Sequence, residues 1–152
     1  MLRYTEVKVV FAEVPDEVTL AVNISNCPCH CEGCHSPWLS DDIGTELTVD
    51  VLHRLIDSND GITCVCLMGG DGDPEAVNDL MRHIKEIRNI KTAWYSGRQR
   101  LDRSISLRYF DYVKLGPYVR ELGPLDSKNT NQRFYKVINN SLLLDITNRF
   151  QK

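Results

Sequence analysis

The chain has 152 residues, 42% apolar and 26% charged, with 18 basic and 21 acidic residues giving a net charge of −3. This composition suits one globular domain, residues 1–152, that can bury a core without disulfides. The small acidic excess and the lack of a basic run speak against a nucleic-acid surface. Arg3, Glu6 and Lys8 interrupt the apolar residues of the first eleven positions, so no export signal is expected, and no stretch approaches the ~20 apolar residues of a membrane helix. Six cysteines in such a chain predict a reducing, cytoplasmic setting in which clustered thiols serve metal or catalytic chemistry.

In chain order, residues 7–11 and 18–24 are β-rich and flank Pro15-Asp16, a pattern that predicts a hairpin. A cysteine-rich loop follows. Thr48 is placed to cap a helix of about ten residues whose apolar face joins Val51, Leu52, Leu55 and Ile56. Residues 62–68 form a short apolar run ending in Gly69-Gly70 and read as a buried parallel strand. Asp73 and Pro74 open a second helix with Val77, Leu80, Met81, Ile84 and Ile87 at helical spacing and a solvated charged face. Strands are expected at 91–95 and 111–115, closed by Ser96-Gly97 and Gly116-Pro117, with a short helix within 101–109. Residues 116–133 are polar and irregular. Residues 134–138 and 142–146 flank Asn139-Asn140 as a closing hairpin.

This order predicts an α/β domain with a mostly parallel sheet. The cysteine loop and the turns at Gly69-Gly70, Ser96-Gly97 and Gly116-Pro117 all follow strands. At the carboxyl ends of parallel strands they can face one site.

Cys27, Cys31 and Cys34 have the spacing C-x₃-C-x₂-C. Three thiolates this close can hold a 4Fe-4S cluster and leave one iron open to a small molecule. A structural zinc loop completed by His30 or His35 is the competing reading. Cys29 offers a second triad with Cys31 and Cys34, but ligands two residues apart would strain the loop around a cube. Cys29 is therefore read as a free thiol. Cys64 and Cys66 alternate on the apolar strand and are read as core packing.

The cysteine motif resembles that of the radical S-adenosylmethionine superfamily. Further segments resemble the activating proteins of anaerobic (class III) ribonucleoside-triphosphate reductase. They are Asn23-Ile24-Ser25, Gly33-Cys34-His35-Ser36-Pro37-Trp38-Leu39, Met68-Gly69-Gly70-Asp71-Gly72-Asp73-Pro74, Trp94-Tyr95-Ser96-Gly97, Lys114-Leu115-Gly116-Pro117-Tyr118 and Asn131-Gln132-Arg133.

The resemblance implies a partial (β/α) barrel with the cluster loop at the carboxyl ends of its strands. It implies a 4Fe-4S cluster on Cys27, Cys31 and Cys34, with S-adenosyl-L-methionine bound at the open iron and cleaved reductively to a 5′-deoxyadenosyl radical. Gly69 and Gly70 would meet the methionine end. Asp71 stands where relatives more often carry Glu. Gly33, Cys34 and His35 would lie near adenine; Gly33 departs from the aromatic residue of many relatives, and Trp38 reads as a packing anchor. Ser96, Asn131 and Arg133 are possible cofactor or partner contacts, Arg133 either clamping a carboxylate or standing solvated at the surface. No side chain has a catalytic role beyond the cluster and cofactor.

The implied activity is formation of a glycyl radical in the anaerobic reductase, with an electron donor such as flavodoxin and no nucleic-acid or membrane partner. Alternatives within the superfamily are an activator of another glycyl-radical enzyme, such as pyruvate formate-lyase, or a small-molecule enzyme such as 7-carboxy-7-deazaguanine synthase. Outside it stand a zinc-binding adaptor and a simple electron carrier.

Overall fold

The computed structural model describes residues 1–25 and 44–151. Its described strands form one sheet in the order β3-β1-β2-β4-β5-β6-β7-β8. They are β1 (Leu2–Val10), β2 (Thr19–Ile24), β3 (Thr45–Leu47), β4 (Cys64–Met68), β5 (Lys91–Tyr95), β6 (Tyr112–Leu115), β7 (Arg133–Ile138) and β8 (Leu142–Asp145). Parallel pairing is confined to the central strands β2, β4, β5 and β6. The flanking pairs, β1 with β2 and β3 and β7 with β6 and β8, are antiparallel. The sheet is thus mixed rather than mostly parallel. The reason lies in the connections, because two hairpins at the flanks need only short loops while each parallel step needs a crossover.

Two helices, α1 (Val49–Asp57) and α2 (Pro74–Ile87), cover one face. Their starts are set locally. The Thr48 side chain accepts a hydrogen bond from the Val51 amide, and Asp73 accepts one from the Ala76 amide with Pro74 at the first turn. Each cap satisfies an amide that has no partner within the helix. Leu52 and Ile56 of α1 and Val77, Leu80, Met81 and Ile84 of α2 pack with Leu20, Val22, Val65, Leu67, Trp94 and Val113 of the sheet. The opposite face carries a second core of Val14, Cys64, Cys66, Ala93, Tyr112 and Phe134. The two-residue period of β4 sends Val65 and Leu67 to the helices and Cys64 and Cys66 to this second core. Both faces are covered, which is why the strand reads as a continuous apolar run.

Several elements differ from the sequence expectation. β1 begins at Leu2 rather than at residue 7, because Leu2 to Tyr4 pair with β3, a three-residue strand too short to leave an alternation in the sequence. The expected helix within 101–109 is only a 3₁₀ turn, Leu107–Tyr109. Asp102 accepts from the Ser104 amide, and the Ser106 amide donates to Asn78 of α2, so side chains take up amides a helix would have used. Ile87, assigned to the apolar face, is 68% exposed as the last residue of α2. The closing hairpin turns through Asn139 and Asn140, both in the left-handed region with φ 52° and 62°, a conformation that asparagine tolerates in tight hairpins. No helix among the described residues is long and apolar enough to cross a membrane.

Candidate functional site

Because β2, β4, β5 and β6 run parallel, their carboxyl ends share one edge of the sheet. Hydrogen bonds bind the turns there to one another. The Gly69 amide donates to the Tyr95 carbonyl at 2.9 Å, the Ser96 amide to the Lys114 carbonyl at 2.9 Å, and the Gly116 amide to the Arg98 carbonyl at 2.6 Å. The Trp94 indole donates to the Gly69 carbonyl at 2.6 Å. Ser25, where the chain leaves this edge for the cysteine segment, is buried and donates its amide to the Arg3 carbonyl at 2.9 Å.

Gly69 and Gly70 have φ of +109° and +103°. A β-carbon on Gly69 would lie 3.1 Å from the Ile24 carbonyl oxygen, and one on Gly70 would lie 2.7 Å from Val77 Cγ2. The pair is therefore demanded by the chain's own packing and by backbone conformation. Gly70 is buried and Gly69 half-buried, and the Gly70 carbonyl accepts from the Asp73 amide at 3.0 Å.

Asp71 follows and is 5% exposed. Its carboxylate accepts from Ser96 Oγ at 2.5 Å and from the Gly97 amide at 2.8 Å, and Ser96 Oγ in turn accepts from the Arg98 amide at 3.1 Å. Asp71 and Ser96 thus clasp the β4 turn to the β5 turn. Charge-assisted bonds of this kind are among the stronger ones. We expect Asp71→Ala to lower stability by about 2–3 kcal/mol, because it leaves a buried hydroxyl and amide unmatched. Urea unfolding under anaerobic conditions measures this, and Asp71→Asn should recover part of the loss.

On the face opposite α1 and α2, beneath this edge, lies a cavity of about 650 Å³ lined by Met68, Tyr95, Lys114, Tyr118, Leu125 and Gln132, among others. Lys114 is 8% exposed. Its ammonium donates to the Ser96 carbonyl at 3.2 Å and the Gly116 carbonyl at 2.7 Å, and it sits 5.9 Å from the Tyr95 ring centroid. Tyr95 donates its hydroxyl to the Glu13 carbonyl, bringing the 11–18 loop up against the cavity. Apolar walls with a few fixed polar groups are the usual composition of a small-molecule site.

The Asn131-Gln132-Arg133 segment divides. Gln132 is 6% exposed and lines the large cavity. Asn131 and Arg133 line a separate pocket of about 180 Å³ with Gln99, Gly116 and Tyr135. Asn131 Nδ2 donates to the Pro117 carbonyl at 3.0 Å, while its Oδ1 is buried without a hydrogen-bond partner among the described residues. Arg133 is exposed, 3.7 Å from Asp145. Gln132, Lys114 and Tyr95 were not among the expected site residues. The two-residue alternation entering β7 was the signal that separates Gln132 from its neighbours.

Cys27, Cys31 and Cys34 lie outside the described residues, as do Gly33, His35, Cys29 and Trp38. Cys64 and Cys66 are fully buried and free. Burial pushes the Cys64 thiol up from 9.0 to about 12, with the Glu17 charge adding to it, and pushes the Cys66 thiol well above its ordinary value. Such thiols are poor nucleophiles and poor ligands. The sign of the linkage follows. An unfolded thiol ionises first, so the stability gained by keeping Cys64 neutral is complete below pH 9.0 and is lost as pH rises toward about 12. Iodoacetamide at about pH 8 should label neither cysteine until urea unfolds the chain. Labelling of the native protein at either position would contradict the packing seen here. Among the described residues no group of three or more His, Cys, Asp or Glu could hold a metal ion.

A mixed α/β domain whose parallel strand ends gather glycine turns above a cavity, beside a cysteine triad in the sequence, has the makings of an iron–sulfur protein. Residues 17–133 match the family described as the 4Fe-4S single cluster domain, and the chain belongs to that family. Searches of curated proteins and of solved structures returned no match.

Proposed function

We propose that this chain is a radical S-adenosylmethionine enzyme that installs a glycyl radical in anaerobic ribonucleoside-triphosphate reductase. The observation that carries the reading is the meeting of the Gly69-Gly70 turn, the Asp71–Ser96 clasp and Lys114 on the edge from which the chain departs to the cysteine triad. Membership of a single-cluster iron–sulfur family supports the cofactor. The partial barrel implied by the resemblance belongs to this reading, as does a cytoplasmic setting.

The residues present suit the groups assigned to them. Three thiolates at Cys27, Cys31 and Cys34 are soft ligands suited to iron. The Gly69-Gly70 turn, which has no side chains of its own, is assigned to the methionine end of S-adenosyl-L-methionine, with Gly33, Cys34 and His35 assigned to the adenine side. Held by those thiolates and reduced, the cluster would supply the electron for reductive cleavage of S-adenosyl-L-methionine, the chemistry needed to take a Cα hydrogen from a glycine of the reductase. The chain's own part is positional. Asp71 acts on the cofactor through the turns it joins, since its carboxylate engages Ser96 and Gly97. Lys114 ties the ends of β5 and β6 together. Met68, Tyr95 and Leu125 give the cavity beneath this edge an apolar wall, a lining suited to limiting water around a radical.

The test is electron paramagnetic resonance of the reductase after anaerobic incubation with this protein, reductant and S-adenosyl-L-methionine. The expected result is a glycyl-radical doublet that requires all three components and all three motif cysteines. A doublet in another glycyl-radical enzyme and none in the reductase would move the assignment to that partner. A protein that binds zinc at four ligands and stays colourless after reconstitution with iron and sulfide would be an adaptor.

A further inference from the structure

Between β5 and β6 the crossover is a loop rather than a helix, and residues 98–108 carry Arg98, Arg100, Arg103 and Arg108 against a single acid, Asp102. This segment has a net charge of +3 in a chain of net charge −3. The arginines are spaced apart, so they form no run in the sequence. All four are exposed. Arg108 lies over the Tyr109 ring, 5.5 Å from its centroid. Arg98, Arg100 and Arg103 form no ion pair among the described residues, as is also true of the exposed Arg54 and Arg120. What sets this loop apart is the density of its charge, four arginines within eleven residues. Asp102 is held by the Ser104 amide, which keeps its carboxyl below the ordinary range, with Arg98 and Arg103 adding to the effect.

The loop is also fixed in place. The Arg98 carbonyl accepts from the Gly116 amide, Ile105 is buried, and the Ser106 amide donates to Asn78. It rises from the carboxyl end of β5, two strands from β2, where the chain leaves for the cysteine triad. Neighbouring strands lie about 4.8 Å apart, so the two points are about 10 Å apart along the edge.

We propose that Arg98, Arg100 and Arg103 form the docking surface for an acidic electron-carrier protein that reduces the cluster. The inference rests on the redox reading above, which needs an outside electron, and it adds where that electron enters. One electron leaves the carrier, a flavin hydroquinone becoming a semiquinone with its proton released to solvent, and the oxidised cluster takes it up. No bond to this chain forms or breaks. Unpaired surface charge on a fixed loop steers an oppositely charged partner and sets its orientation.

The test is binding of flavodoxin to the anaerobically reconstituted full chain, followed by calorimetry at low and high salt. Reversal of all three arginines to glutamate should weaken binding roughly tenfold or more at low salt, and high salt should remove most of the difference, since screening sets in over about 10 Å at 0.1 M. A control reversing the exposed Lys8, Arg54 and Lys136 to glutamate changes net charge equally and should lose far less. The neutral variant Arg100→Gln/Arg103→Gln guards against misfolding of the triple reversal and should show an intermediate loss. Equal losses in test and control, or no loss in the test, would overturn the proposal. So would tighter binding of a short RNA than of flavodoxin at the same salt, or loss of reductase binding with flavodoxin binding intact. Because the readout is binding, a missing glycyl radical together with arginine-dependent flavodoxin binding would count against the activase reading alone.

Discussion

Alanine at any one of Cys27, Cys31 or Cys34 should abolish four-iron binding, whereas alanine at Cys29, Cys64 or Cys66 should leave it intact. The effect is all-or-none because a cube held by three thiolates has no spare protein ligand to replace the lost one. The buried pair cannot substitute. Cys64 and Cys66 lie in the second core with their thiols held protonated, Cys66 with its sulfur 3.5 Å from Met68 Sδ, and ligation demands the thiolate. Iron and sulfide content together with the visible absorption of anaerobically reconstituted variants measures the result. A Cys29→Ala variant as damaged as Cys31→Ala would replace the assigned triad with one that includes Cys29. Retention of four irons by any of the three motif variants would remove the ligand assignment altogether.

The second large effect is expected at Gly70. Valine there must adopt φ near +103° and put a β-carbon 2.7 Å from Val77 Cγ2. Backbone strain of this kind costs on the order of 1–3 kcal/mol, and overpacking adds about 1–3 kcal/mol. The sum takes a large share of a typical domain's stability. Urea unfolding should show it in the apo chain, before any cofactor is added. The two causes separate in a second construction. Gly70→Ala combined with Val77→Ala removes the clash but keeps the strain, so it should recover only the packing part beyond what Val77→Ala loses alone. Affinity for S-adenosyl-L-methionine should fall in Gly70→Val with the cluster retained, and unchanged affinity would detach this turn from the cofactor. An apo chain as stable as the parent would show that the turn relaxes freely, against the contacts described here.

How much of this could be read without the structure depends on how far apart in sequence the interacting groups lie. Thr48, Asp73-Pro74 and Asn139-Asn140 each act on backbone within a few residues, so the helix starts and the closing turn were legible. β4 was legible because burial on both faces leaves a continuous apolar run, and β5, which starts with Lys91 and Thr92, because Ser96-Gly97 closes it. The cysteine spacing was likewise a local signal, and the family match agrees with the iron–sulfur chemistry it suggests.

The amino-acid sequence by itself therefore determined the caps, the central strands, the turn glycines and the metal-binding chemistry. Tertiary structure alone decided what those parts do to one another. The Asp71 carboxylate is held by Ser96, 25 residues away, a partner that nothing near Asp71 in the sequence indicates. Gln132 lines the large cavity and Asn131 and Arg133 the smaller pocket, a division that appears only once β7 is paired with β6. The start of β1 was set by β3, more than forty residues later. In each case the deciding contact joins segments that only the folded sheet brings together, and neither partner's sequence carries the other's address.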